Sequence, residues 1–106
     1  MQMSEFPEYA VTVSDAALAM LDSHIAFLAR VNAQAAVKLM DEILSDIASL
    51  SHFPERFPVF DSEFIPEGRY RKKLSARRYL ILYEVDGNDV CVDYIVDCRQ
   101  DYEWLL

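Results

Sequence analysis

Glycine is nearly absent from this chain, with two among 106 residues, and cysteine is equally rare. So little glycine, beside 53% hydrophobic residues, excludes a disordered or low-complexity polymer. No apolar run reaches the roughly 18 residues a membrane span needs, so no membrane partner is expected. Met1-Gln2-Met3-Ser4-Glu5 has neither a basic region nor an apolar core. No signal peptide is read there, and the cytoplasm is the expected location. Cys91 and Cys98 fall on one predicted strand, about 23 Å apart and on opposite faces. A disulfide needs Cα atoms within roughly 7 Å, so they cannot bridge within the chain. Adding His24 and His52 gives no zinc spacing, and neither a metal nor another cofactor is expected. A chain of this length makes one domain, 1–106, with a modest core that needs no disulfide.

Positive charge is scarce too: ten Lys and Arg against eighteen Asp and Glu, for a net charge of −8. Its distribution is uneven. Arg69, Arg71, Lys72, Lys73, Arg77 and Arg78 hold six of the ten cations within one short stretch. Most of the surface should repel nucleic acid, while this patch can attract an anion. The alternative is that these cations pair with neighbouring carboxylates.

Residues 9–13, Tyr-Ala-Val-Thr-Val, alternate and are rich in β-branched side chains, which predicts a short strand. Ser14 is a good N-cap, and Leu18, Leu21, Ile25 and Leu28 follow at helical spacing, predicting a helix over 15–30. His24 beside this stripe reads as a half-buried helix histidine. Asn32 can end this helix or cap the next, whose stripe is Ala36, Met40, Ile43, Ile47 and Leu50 over 33–50. So short a link makes the two an antiparallel hairpin. Asp41, Glu42 and Asp46 read as its solvated outer face.

From His52 to Gly68, Pro54, Pro58 and Pro66 interrupt the helical spacing of Phe53, Phe57, Phe60 and Phe64. This predicts a loop with at most one turn of helix, its phenylalanines packed on the domain. Two strands follow, Arg69–Leu74 and Arg78–Val85. In the first, Tyr70 and Leu74 share a face and Arg69, Arg71 and Lys73 project from the other. In the second, Tyr79, Ile81, Tyr83 and Val85 share one face and Leu80 and Leu82 make the other apolar, which predicts a central strand. Asp86-Gly87-Asn88 signals a hairpin into a last strand, Val90–Asp97. Trp104-Leu105-Leu106 are expected to pack on the core. The expected fold is therefore α+β, in the order β-α-α-β-β-β, with a helical hairpin on a mainly antiparallel four-stranded sheet.

This order and these segments resemble the RelE/ParE superfamily of type II toxin–antitoxin toxins, also called plasmid stabilization proteins. The carriers are Tyr9-Ala10-Val11-Thr12-Val13-Ser14, Ala35-Ala36, Leu50-Ser51-His52-Phe53-Pro54 and Tyr70-Arg71-Lys72-Lys73-Leu74. They continue in Arg78-Tyr79-Leu80-Ile81-Leu82-Tyr83-Glu84-Val85, Asp97-Cys98-Arg99-Gln100-Asp101 and Leu105-Leu106. The resemblance implies a RelE-like fold and a cognate antitoxin whose C-terminal segment wraps the toxin. It also implies one of two targets, since some members cut messenger RNA on the ribosome and others poison DNA gyrase.

RNA cleavage of this kind needs a base, an acid and cations around the phosphate. By resemblance Arg71, Lys73 and Arg99 match the nuclease cations. Leu80 stands where nucleases tend to have arginine, and Tyr102 is the nearest acid candidate but is displaced. The first reading is therefore a toxin acting by protein binding, as in the gyrase-directed branch. The second is a ribosome-dependent ribonuclease using Arg71, Lys73 and Arg99, with Arg77 or Arg78 replacing the missing arginine. The third is a non-toxic member that still binds antitoxin. The antitoxin- or target-binding surface is expected at Arg69, Arg71, Lys72, Lys73, Arg77, Arg78 and Tyr102, with strand addition and an amphipathic helix as docking modes. For Arg99, ion pairing with Asp97 and Asp101 is the structural alternative.

Overall fold

The computed structural model describes residues 8–62 and 65–99. The expected packing of Trp104-Leu105-Leu106, the role of Tyr102 and the packing of Phe64 lie outside them.

Strand β1, Ala10–Val13, leads into helix α1, Asp15–Val31, and then α2, Ala33–Ala48. Ser14 caps α1, its side chain accepting from the Ala17 N–H at 3.1 Å. Asn32 serves both helices. Its backbone is extended, its N–H donates to Leu28 O, and its side chain accepts from Ala35 N–H. That one residue turns the chain back and makes the hairpin.

A 3-10 turn, Ser49–Ser51, ends α2, and a second, Pro54–Arg56, follows it. Here the structure corrects the expected loop. Val59–Ser62 is a strand, β2, and β3 begins already at Ile65 and runs to Ser75. The order is thus β-α-α-β-β-β-β, and the sheet has five strands rather than four. The prolines misled because Pro58 stands just before β2, on an edge strand where a missing N–H is tolerated. Phe60 is buried in β2 against Tyr70 and Leu82, whereas Phe53 is 54% exposed and does not pack down.

β4, Tyr79–Asp86, and β5, Asp89–Asp97, complete a sheet ordered β1-β5-β4-β3-β2. All neighbours are antiparallel except β1, which pairs parallel with β5. β4 is central, as its two apolar faces require. Tyr79, Ile81 and Tyr83 face the helices and join Leu21, Ile43 and Leu50, while Leu82 joins Phe60 and Tyr70 in a second cluster. Ala17 takes the inward place on α1, leaving Leu18 at 43% exposure on its flank. Likewise Leu74, expected to share a face with buried Tyr70, is 54% exposed where it reaches the edge of the sheet.

Two turns close the meander. Asp86 pairs with Asp89 around Gly87, whose φ of +60 is what the glycine is for. The β3–β4 turn has no glycine, yet Ala76 and Arg77 take φ of 51 and 61. A left-handed L-residue costs about 1–2 kcal/mol, partly offset in a glycine by its freer unfolded chain. Ala76→Gly should therefore raise stability by roughly 0.5–1 kcal/mol, read as a higher urea midpoint; a lower midpoint would contradict the strain at this turn.

Candidate binding surface around the basic strand

The six clustered cations fall mostly into structural roles. On β3, Arg71 and Lys73 pair in register with Tyr83 and Ile81, so both point to the helix side. The Arg71 guanidinium donates to Phe57 O at 2.6 Å and Glu55 O at 3.1 Å, pinning the 3-10 turn against the strand. Tyr83 holds the same segment from below through its hydroxyl, which donates to Pro54 O at 2.5 Å. Lys73 reaches Asp46 of α2 at 3.6 Å and lies over the Phe57 ring. Asp46 also accepts from the Ser75 hydroxyl at 2.6 Å, so it is a half-buried tie between helix and sheet and not part of a solvated face. Asp41 and Glu42 are exposed, as expected.

Arg69 donates to Glu84 at 2.7 Å and sits over Tyr70. Lys72 lies over Phe60. Arg78 turns inward: its Nε and Nη2 reach the Asp97 carboxylate at 2.8–3.2 Å. The Asp97 side chain is 1% exposed, and the Arg99 N–H donates to it at 2.8 Å. Arg99 is thus bound to Asp97 through its backbone, while Arg78 forms the ion pair. Arg77, at the strained turn, is exposed.

The three cations matched to a nuclease set do not converge. Ser75, Tyr79 and Asp97 stand level across β3, β4 and β5. Arg71 lies four residues inside that level, about 13 Å along β3, while Arg99 follows the end of β5 in a turn. Leu80 is half-buried against the apolar cluster of Phe60, Tyr70 and Leu82.

His24 is half-buried, as its helical position predicts, with Nε2 2.8 Å from Ile95 O and its ring beside Tyr79. Neither cysteine is in a disulfide, and Cys91 donates to Asp93 at 3.2 Å. Asp93 also accepts from the Tyr70 hydroxyl at 2.7 Å. It is the additional residue of a bulge between β4 and β5. That bulge also shapes the Arg78–Asp97 tie. Counting back from the Gly87 hairpin puts Arg78 opposite Asp97, but the bulge moves the register by one and puts Tyr79 there. Arg78 then reaches Asp97 from the neighbouring position.

The profile of the family described as "ParE toxin of type II toxin-antitoxin system, parDE" matches residues 11–102. The chain belongs to this toxin family. It is the toxin of a type II module, whose partner is an antitoxin. Its fold is similar to a chain of the chromosomal ParDE toxin–antitoxin system from P. aeruginosa, with a TM-score of 0.72 at 17% identity. That likeness covers 85% of this chain and 96% of the other, and at such identity it speaks for the fold alone. No curated protein matches the sequence. Among the described residues no helix is long and apolar enough to cross a membrane.

Two outcomes follow from the buried groups. Asp97→Ala leaves Arg78 without its partner and should lower stability by about 3 kcal/mol, the low end for a broken buried pair because Arg78 keeps some contact with water. A urea titration showing a loss below roughly 1 kcal/mol would contradict the tie. Burial pushes the Tyr83 phenol up to about 12, and burial likewise raises Tyr70 and Tyr79. Below pH 10 these phenols are neutral in both states. Above it the unfolded chain ionises first, so stability should fall as pH rises through about 12. Tyr83→Phe should flatten that fall, measured as urea midpoints between pH 8 and the alkaline limit.

Proposed function

We propose that this toxin arrests growth in the cytoplasm by binding a protein target, DNA gyrase being the one the superfamily resemblance names, and not by cutting RNA. The observation that carries this is the use made of the nuclease-matched cations. Arg71 is held by two backbone carbonyls and Lys73 by Asp46 and Phe57. A cleavage site needs its cations gathered at one phosphate. Here the register keeps Arg71 and Arg99 apart, and an apolar side chain stands at position 80. The net charge of −8 further opposes a polyanionic RNA at long range.

The same geometry refines which cations meet a partner. Arg71, Lys73 and Arg78 serve the fold, so Arg69, Lys72, Arg77 and Arg99 are the ones offered to target or antitoxin. Reversing Arg71 would first break its hold on Phe57, which makes Lys72 and Arg77 the cleaner reversals.

The deciding experiment induces the chain without its antitoxin and compares mRNA 5′-end maps with a supercoiling assay on purified gyrase. Growth arrest with inhibited supercoiling and unchanged mRNA ends is expected, and Arg71→Ala and Arg99→Ala should create no new cleavage phenotype. Ribosome-dependent cleavage that disappears in Arg99→Ala would overturn the reading. Growth unaffected by the induced, folded chain would do so in favour of a non-toxic member that binds antitoxin only.

A further inference from the structure

Helix α1 carries only three charged residues in seventeen, Asp15, Asp22 and Arg30. A surface helix ordinarily turns charged and polar residues away from the core. Here Ala17 and Leu21 are buried, and Ile25 and Leu28 pack half-buried against the same cluster. The exposed remainder is still mostly apolar. Leu18, Phe27 and Val31 stand at 43%, 55% and 80% exposure, among exposed alanines at 16, 19, 26 and 29. The neighbouring α2, of nearly equal length, carries Lys38, Asp41, Glu42 and Asp46.

The apolar excess of α1 has a pattern. Ala16, Met20, Ser23, Phe27 and Val31 follow one another in steps of four, three, four and four. That is the spacing of a seam between two helices. At about 100° per residue they lie within an arc of about 80° on one flank. No acidic residue falls among them, in a chain that has eighteen. Arg30 borders the C-terminal end of this stripe, and Asp15 stands at its start.

We infer that α1 pairs antiparallel with α1 of a second copy of this chain, along this stripe. A two-fold axis between residues 23 and 24 sets Phe27 opposite the partner's Met20 and Val31 opposite the partner's Ala16. Each large, stiff side chain then meets a flexible or a small one. Arg30 comes within two residues, about 3 Å along the axis, of the level of the partner's Asp15. Symmetry makes that pair twice. Charge therefore sets the direction, because a parallel pair would put arginine against arginine and aspartate against aspartate. It also favours a second copy as occupant. Any other partner must bring an apolar seam with an acid at one end and a base at the other, and this helix already has both. One such seam buries less than the roughly 1,200–2,000 Å² of a stable interface, so the dimer is weak, with Kd on the order of 10–100 µM. The pairing uses neither β3 nor the cations of the sheet, so it does not rest on the reading of the target.

Sedimentation equilibrium of the full chain across that concentration range should show the mass rising from that of one chain toward that of two. Val31→Glu, at a highly exposed position, should weaken association about tenfold or more. Leu44→Glu, exposed on α2, should leave it unchanged. Arg30→Asp should weaken it, and adding Asp15→Arg should restore it by exchanging the pair. Both of those changes oppose the helix dipole, so an effect on folding alone would worsen in the double variant, and urea midpoints read that effect separately. Ser23→Cys, beside the two-fold, should crosslink two chains under mild oxidation, whereas the unaltered chain should not. A chain that stays monomeric throughout would overturn the pairing and leave the stripe to some other protein. A dimer indifferent to Val31→Glu, a dimer lost in Leu44→Glu, or a double variant weaker than Arg30→Asp alone would also overturn it.

Discussion

The carboxylate of Asp97 is the constraint around which one end of this sheet is arranged. At 1% exposure it has left water, and an isolated charge there would cost several kcal/mol. Arg78 answers with its guanidinium and Arg99 with its backbone N–H. These contacts fix the entry to β4 and the exit from β5 relative to each other. Cys98 N–H donates to Arg78 O at 2.8 Å, carrying the ladder one step past the last strand residue. Arg78 must turn inward immediately after the β3–β4 connection, and that connection is where Ala76 and Arg77 accept left-handed backbone without glycine. The strain and the ion pair sit side by side, and the second holds the first in place.

The same logic gives the basic cluster its meaning. Each inward cation joins β3 or β4 to a different neighbour: Arg71 to the Pro54–Arg56 segment, Lys73 to α2 and Arg78 to β5. Charged hydrogen bonds of this kind contribute about 1.5–3 kcal/mol where they are partly sheltered. A run of cations in a sequence therefore does not by itself make an anion site. What matters is whether carbonyls and carboxylates of the same chain have already claimed them.

Most of the fold was legible because it rests on local chemistry. Ser14 and Asn32 announced the helix starts, Gly87 the hairpin, and the doubly apolar pattern of Tyr79–Val85 the central strand. β2 was not legible, since its four residues follow a proline and carry phenylalanine at a spacing that also suits a helix. Its identity comes from pairing with Arg71 and Tyr70, a contact remote in sequence. The candidate site was half legible. The clustering of the cations was legible, but which of them serve the fold was not, because Asp46 looked like any acidic residue on an outer helix face. Only the crossing of α2 over the end of β3 brings it to Lys73 and Ser75.

A chain with a charge of −8 and outward cations at Arg69, Lys72, Arg77 and Arg99 has a particular kind of selectivity. At distances beyond the Debye length, about 8 Å at physiological ionic strength, a large polyanion meets the summed negative charge and is repelled. Closer in, a short acidic segment can meet Lys72, Arg77 or Arg69 individually without facing the rest of the surface. Contact of that kind is small in area unless main-chain bonds or apolar burial extend it. The summed charge therefore disfavours a large polyanion at long range, while a single outward cation can still hold a short acidic group at contact.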